Sequence, residues 1–488
     1  MRTSVGRIRR PYWLMLLPLL WGCTTLALQP NKPAQVALPP AANPALTLPQ
    51  TAFALLPDGA NAFLARAALA SLATQSLDLQ YYLYQNDHSG QLLLERLLAA
   101  ADRGVRVRLL VDDLYSDQLP AALALHPNIQ VRLFNPWVLR NRPILKGLEF
   151  VGKGRLNHRM HNKAWIADNR VAIVGGRNIG DQYFDQAKDS NFRDLDLLAA
   201  SPVVKELSAS FDAFWNSPWT VTLPVPQSAN LDDLRASLAA ATKTPSPFQP
   251  FWQQARQIPA LKDWPGPWYQ GQARLVADSP DKVEGSAATS LLAQLGHSLP
   301  QAQSRLWISS PYFIPGDQGV ALLANLVQQG VEVRVLTNSL AANDVPAVHS
   351  HYQRYRQPLL AAGVHLYEQK SALTSPQGLS LGSAKASLHA KAFVVDSRYS
   401  FIGSMNLDPR SLHRNTELGL VVDSPALAQR LEALMTEDLA TSAFALSLDN
   451  DRLNWCSQGQ CQDSEPEISL WQHIKNGFFW LLPIESQL

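Results

Sequence analysis

Two hydrophobic periods take turns along this chain. Residues 60–73 carry apolar positions at helical spacing, 76–84 read as a strand, 90–103 as an amphipathic helix and 105–112 as another strand. The second half repeats the plan, with helices over 289–299, 319–329 and 351–362 and strands over 305–311, 331–337 and 364–368. Helices alternating with short strands predict an α/β fold, a mixed sheet flanked by helices in each half. Residues 221–270, rich in Pro, Trp and polar side chains, read as the connection between a first domain at 51–220 and a second at 271–465.

One string occurs in both halves. His161-Asn-Lys163 leads through Asp168 to Gly175-Gly-Arg-Asn178, and His389-Ala-Lys391 leads through Asp396 to Gly403-Ser-Met-Asn406. Both copies read H-x-K-x4-D-x6-G-[GS]-x-N, a repetition that points to one active site assembled from two halves. Residues two apart share a face of a strand, so each His and Lys project together. Each copy continues as a hairpin-like run, polar corner and second run, so Asp168 and Asp396 are catalytic candidates that double as turn formers. The small Gly-Gly and Gly-Ser steps allow close approach, and Asn178 and Asn406 can offer amide donors to an anion.

Two imidazoles can divide a phosphoryl transfer, one attacking and the other protonating the leaving group. Two lysines and two asparagines stabilise charge on the phosphoryl oxygens. The scheme needs no metal or cofactor, and no Cys/His cluster has zinc-ligand spacing. A carboxylate usually orients a catalytic imidazole through its other N–H. Glu417 is the candidate in the second half, and Asp194 or Asp196 in the first.

These motifs resemble those of the phospholipase D superfamily. Gln80 to Asp87, Ser309 to Gly316, Thr337 to Asp344 and Leu482 to Leu488 are similar to segments of bacterial cardiolipin synthases, nearest the C type, so that the likeness spans about 50–488. The resemblance implies two similar domains sharing one active site at their interface, and phosphatidyl transfer through a covalent phosphohistidine. His161 would be the nucleophile and His389 the acid, then base. Phospholipids are then the substrates: phosphatidylglycerol, with phosphatidylethanolamine as a second donor. An activating partner protein is left open. The rivals are a hydrolase using water as acceptor, a nucleic-acid phosphodiesterase and an inactive lipid-binding scaffold.

Composition narrows these. Formal charge is +2, and falls to −2 without the four arginines of the first 23 residues, which gives no electrostatic footprint for nucleic acid. Those 23 residues read as an export signal: a basic start, a short apolar core and Leu20-Trp-Gly-Cys23, which resembles a lipoprotein cleavage site with Cys23 lipidated. A plain signal peptide and a twin-arginine signal are the alternatives. Residues 24–50 hold six prolines and read as an extended tether. The expected location is a bacterial envelope membrane, facing the periplasm, with inner or outer membrane undecided. Cys456 and Cys461 are a disulfide candidate in such a compartment, two free thiols being the alternative. The aromatic tail 466–488 reads as either a membrane-interfacial segment or a packed terminal helix. A second lipid-facing candidate is the loop 138–150, with Arg140, Arg142 and Lys146.

Overall fold

The computed structural model describes residues 34–39, 42–48, 50–137, 155–245, 250, 253–254, 258–285, 290–371, 386–437, 439–482 and 484–488. Residues 1–23, expected to be an export signal ending at Cys23, and residues 138–150, expected to face lipid, lie outside these residues.

The first half contributes β1 (Ala52–Leu56), β2 (Ser76–Tyr81), β3 (Arg106–Asp112), β4 (Ile129–Phe134), β5 (Ala164–Ala167), β6 (Val171–Gly175), β7 (Asn191–Arg193), β8 (Asp196–Ala200), β9 (Thr220–Thr222) and β10 (Tyr269–Gln270). The second contributes β11 (Gln272–Ala277), β12 (Arg305–Ser309), β13 (Glu332–Asn338), β14 (His365–Gln369), β15 (Ala386–Leu388), β16 (Ala392–Val395), β17 (Tyr399–Gly403), β18 (Leu418–Asp423), β19 (Ala443–Asp449), β20 (Arg452–Ser457) and β21 (Gln460–Gln462).

The described strands form two large sheets with one topology, and β7 pairs with β15 in a small third sheet. The first runs β10-β1-β8-β6-β5-β2-β3-β4-β9, and the second runs β11-β18-β17-β16-β12-β13-β14-β19-β20-β21. Position by position, β1-β8-β6-β5-β2-β3-β4-β9 matches β11-β18-β17-β16-β12-β13-β14-β19. Parallel pairing falls at the same two junctions in each, β2-β3-β4 and β12-β13-β14. Helix Gly59–Leu72 connects β1 to β2 and helix His88–Asp102 makes the parallel crossover from β2 to β3, and aspartates cap both: Asp58 accepts from the Asn61 N–H, Asp87 from that of Gly90.

Period-2 patterning explains how the halves join. On β6, Val171 and Ile173 pack toward the helices of their own half, while Ala172 and Val174 enter a second cluster. That second cluster also takes Ile402 of β17 and Leu420 and Val422 of β18. The inner faces of both sheets therefore share one dry core, which is why their strands are apolar on both sides. Each fully buried Ile, Leu or Val there contributes about 1.5–3 kcal/mol.

Two segments pack differently from expectation. Of the expected tether, the described residues 34–39 and 42–48 pack on the first half: Leu46 is buried, Ala37 N–H donates to Asp212, and the Asn43 amide donates to Asp168. Within 221–270, helix Leu231–Ala241 inserts Leu234 and Leu238 into the first half's core, joined by Ile258, Leu261 and Trp264. Apolar side chains spaced among prolines sufficed to anchor both. Cys456 and Cys461 face each other across the β20–β21 hairpin and are joined by a disulfide.

Candidate active site

Each H-x-K string stands just before its strand, since β5 starts at Ala164 and β16 at Ala392. Their backbones are occupied by the other half instead. β7 and β15 pair in parallel, and the N–H of His389 donates to Arg193 O at 2.7 Å. In the first copy Met160 bridges Thr416, and the N–H of His161 donates to Thr416 O at 2.9 Å. Arg193 is followed by Asp194 and Thr416 by Glu417, so each exchange delivers a carboxylate to the other half's imidazole.

The result is a crossed pair. His161 Nδ1 lies 3.0 and 2.9 Å from the two Glu417 oxygens, and His389 Nδ1 lies 2.5 Å from Asp194 Oδ2. Sequence spacing nominated both acids without showing that each serves the opposite repeat. Asp196 drops out: it is buried against Arg66 and Arg177. Both lysines fold back identically, Lys163 Nζ donating to His161 O and Lys391 Nζ to His389 O at 2.6 Å.

Burial sets the protonation states. It pushes the imidazole of His161 down to about 4, helped by Lys163 and opposed by Glu417. Burial and Lys391 push His389 to about 3, against Asp194. Glu417 and Asp194 are held below the ordinary carboxylate range: burial opposes this, and the imidazoles and lysines outweigh it. Burial lowers Lys163 to about 7 and Lys391 to about 8. In the free protein both imidazoles are therefore neutral. With Nδ1–H donated to a carboxylate, each presents an unprotonated Nε2 lone pair.

The second half of each motif supports the acids. A Cβ on Gly176 would stand 2.1 Å from Asp194 Oδ1, so only glycine leaves the carboxylate its place. At the matching position Ser404 donates to Glu417 Oε2 at 2.5 Å, and Ser411 donates to Oε1 at 2.9 Å. Asn178 is buried, accepting from Leu83 N–H and donating to the Tyr183 hydroxyl at 2.9 Å. Asn406 is buried, and its Oδ1 has no hydrogen-bond partner among the described residues.

Asp168 and Asp396 do not belong to this cluster. Each sits beyond the far end of a four-residue strand from its His, the strand alone spanning about 13 Å. Asp168 accepts from the N–H groups of Thr74, Gln75 and Ser76, and Asp396 from those of Gln303, Ser304 and Arg305. Both take positive φ (50° and 51°) at their hairpin corners. They tie each hairpin to the start of the neighbouring strand, and the catalytic candidacy is corrected to a structural one.

Aromatic walls were missed. Tyr82 lies edge-on to His161 at 5.3 Å, with Lys163 Nζ 5.7 Å from its ring. Tyr183 and Phe192 flank His389 at 5.4 and 4.8 Å. Their signal was proximity in sequence: Tyr82 follows β2, and Phe192 lies two residues before Asp194.

Fold and paired site define a duplicated phospholipase D-like enzyme. A family model described as cardiolipin synthase, PLD-like domain matches residues 67–215 and 295–439, and the chain belongs to that family. It is 41% identical over 448 residues to cardiolipin synthase C of Escherichia coli (strain K12), covering 87% of this chain and 93% of that one. Cardiolipin synthase 1 of Bacillus anthracis is 28% identical over 378 residues, 76% of this chain and 62% of that protein. The crystal structure of phosphatidylserine synthase from Haemophilus influenzae Rd KW20 shares the fold, with TM-score 0.56, 15% identity, and coverage of 90% of this chain and 98% of that one.

Proposed function

We propose that the protein is a phosphatidyltransferase that makes cardiolipin, passing a phosphatidyl group from one phospholipid to the glycerol hydroxyl of phosphatidylglycerol. The donor is a second phosphatidylglycerol or phosphatidylethanolamine. The observation that carries this reading is the crossed pair His161–Glu417 and His389–Asp194, with a lysine from each repeat beside it.

In the mechanism, His161 Nε2 attacks phosphorus, and the P–O bond to the departing alcohol breaks. His389, protonated once the diester's negative charge has raised its basicity, gives its proton to that oxygen. A phosphohistidine remains. The neutral His389 then accepts the proton of the incoming glycerol hydroxyl, whose oxygen attacks phosphorus and breaks the P–N bond. Lys163, Lys391, Asn178 and Asn406 stabilise the phosphoryl oxygens, and the carboxylates of Glu417 and Asp194 stabilise each imidazolium in turn.

The substrates place the enzyme at a membrane surface of the bacterial envelope. Acylation of Cys23 after export is the proposed tether, and a partner protein that activates turnover fits the same reading. Among the described residues no helix is long and apolar enough to cross a membrane. The test is lipid analysis of the purified protein with phosphatidylglycerol, with and without phosphatidylethanolamine. Cardiolipin is the expected product; phosphatidic acid alone would replace the transferase by a hydrolase.

A further inference from the structure

Helix Leu470–Trp480 leaves most of its large apolar side chains exposed. Trp471, Ile474, Phe478 and Leu481, at spacings of three and four residues, form one stripe that is 63%, 51%, 60% and 72% exposed. Leu470 and Trp480 border it and are also exposed. The protein-facing side carries half-buried Gln472 and Phe479 beside Asn476, which is buried and whose amide donates to Gln353 Oε1 at 2.9 Å. A terminal helix packed for stability buries its apolar stripe and wets its polar one. This helix leaves its larger apolar stripe outside, alongside exposed His473 and Lys475, though it is well formed, with a Ser469–Gln472 capping box.

Its chemistry selects the occupant. The helix has no acidic residue, and Lys475 reaches over the Trp471 ring at 5.5 Å. Exposed Trp, Phe and Leu with a nearby cation suit the boundary between acyl chains and anionic headgroups. The chain leaving the helix also runs to the active site. Glu485 binds Arg354 and Tyr355, while Gln487 O and Leu488 O accept from Arg410, beside the Ser411 that bonds Glu417. The apolar stripe and the carboxylate partner of His161 stand at two ends of one hydrogen-bonded run.

We infer that the outward stripe Trp471–Ile474–Phe478–Leu481 docks on an anionic phospholipid bilayer, setting the catalytic mouth at the lipid surface. This deepens the proposed phosphatidyltransferase function and rests on it. The test compares vesicle binding by the full chain and by a triple variant, Trp471→Ser with Phe478→Ser and Leu481→Ser. Both carry Cys23→Ser, so that acylation does not mask the difference. On vesicles of phosphatidylglycerol and phosphatidylethanolamine, the triple variant should partition about tenfold or more weakly. Its turnover of phosphatidylglycerol dispersed in detergent micelles should stay within about twofold, with an unchanged circular dichroism spectrum. Leu322→Ser, at a leucine 61% exposed on another helix, should bind vesicles like the parent.

Equal vesicle binding by parent and triple variant would overturn the inference. So would a parent dimer that the triple substitution dissociates while vesicle binding persists, since the stripe would then join two copies. A parent inactive even in micelles would sink the proposed function alone, and the partition difference would still decide the docking.

Discussion

Nδ1 of His389 lies 2.5 Å from Oδ2 of Asp194, a residue 195 positions earlier in the chain and in the other repeat. Glu417 returns the arrangement to His161 across 256 positions. Neither half therefore holds a complete imidazole–carboxylate pair of its own, and the dry core between the sheets is part of the catalytic apparatus.

The crossing separates two variants by reaction step. Glu417→Gln should chiefly slow formation of the covalent adduct on His161, and Asp194→Asn should slow both formation, at leaving-group protonation, and breakdown of the adduct. Each should lower turnover by about 10²-fold or more. Rapid-quench measurement of adduct formation and decay distinguishes them; the same pattern in both variants would remove the assignment of roles.

Gly176→Ala forces a methyl into the space of Asp194 Oδ1. Turnover should fall about tenfold or more as Asp194 is displaced from His389, with a loss of stability of about 1–3 kcal/mol at most. Parallel denaturation and turnover assays check this, and wild-type turnover would show that the carboxylate position is not critical.

Asp168 and Asp396 do the same work in different surroundings. Asp168 is buried at 1% exposure, and Asp396 is only partly covered. Asp168→Ala leaves the N–H groups of Thr74, Gln75 and Ser76 without their acceptor and takes one of two acceptors from the Asn43 amide, and should cost about 3 kcal/mol or more. Asp396→Ala, whose partners can turn to water, should cost about 1 kcal/mol. Chemical denaturation measures both, and equal losses would contradict the burial argument.

The two lysines make stability and activity run oppositely with pH. Folding lowers Lys163 from 10.5 to about 7 and Lys391 from 10.5 to about 8. Between about 7 and 10.5 the unfolded chain binds more protons at these groups, so their contribution to stability rises with pH in that window. Activity needs the ammonium charges and should decline as pH passes about 7–8. Lys163→Met should flatten the rise in stability over that range while abolishing turnover; an unchanged pH–stability slope would contradict the lowered value.

How far the sequence carried differs by level. Helix and strand positions were legible because each element has one clear period, and the repeated string marked His161, Lys163, His389 and Lys391. The partnership was not legible, because spacing along one strand cannot show that Thr416 pairs with Met160 across the interface. Asp168 was ambiguous for a related reason: a carboxylate at a turn looks the same whether it serves chemistry or caps the backbone of Thr74 to Ser76. The helix Leu470–Trp480 showed its apolar residues in sequence, but only packing showed that they face outward.

The central claim is one composite site that works through a phosphohistidine on His161. The most direct measurement is acid quenching of the protein during turnover of phosphorus-labelled phosphatidylglycerol, run beside His161→Ala and His389→Ala. The account predicts an acid-labile adduct in the wild type that His161→Ala abolishes, with cardiolipin formed by the wild type alone. A labelled adduct of normal yield in His161→Ala would contradict it.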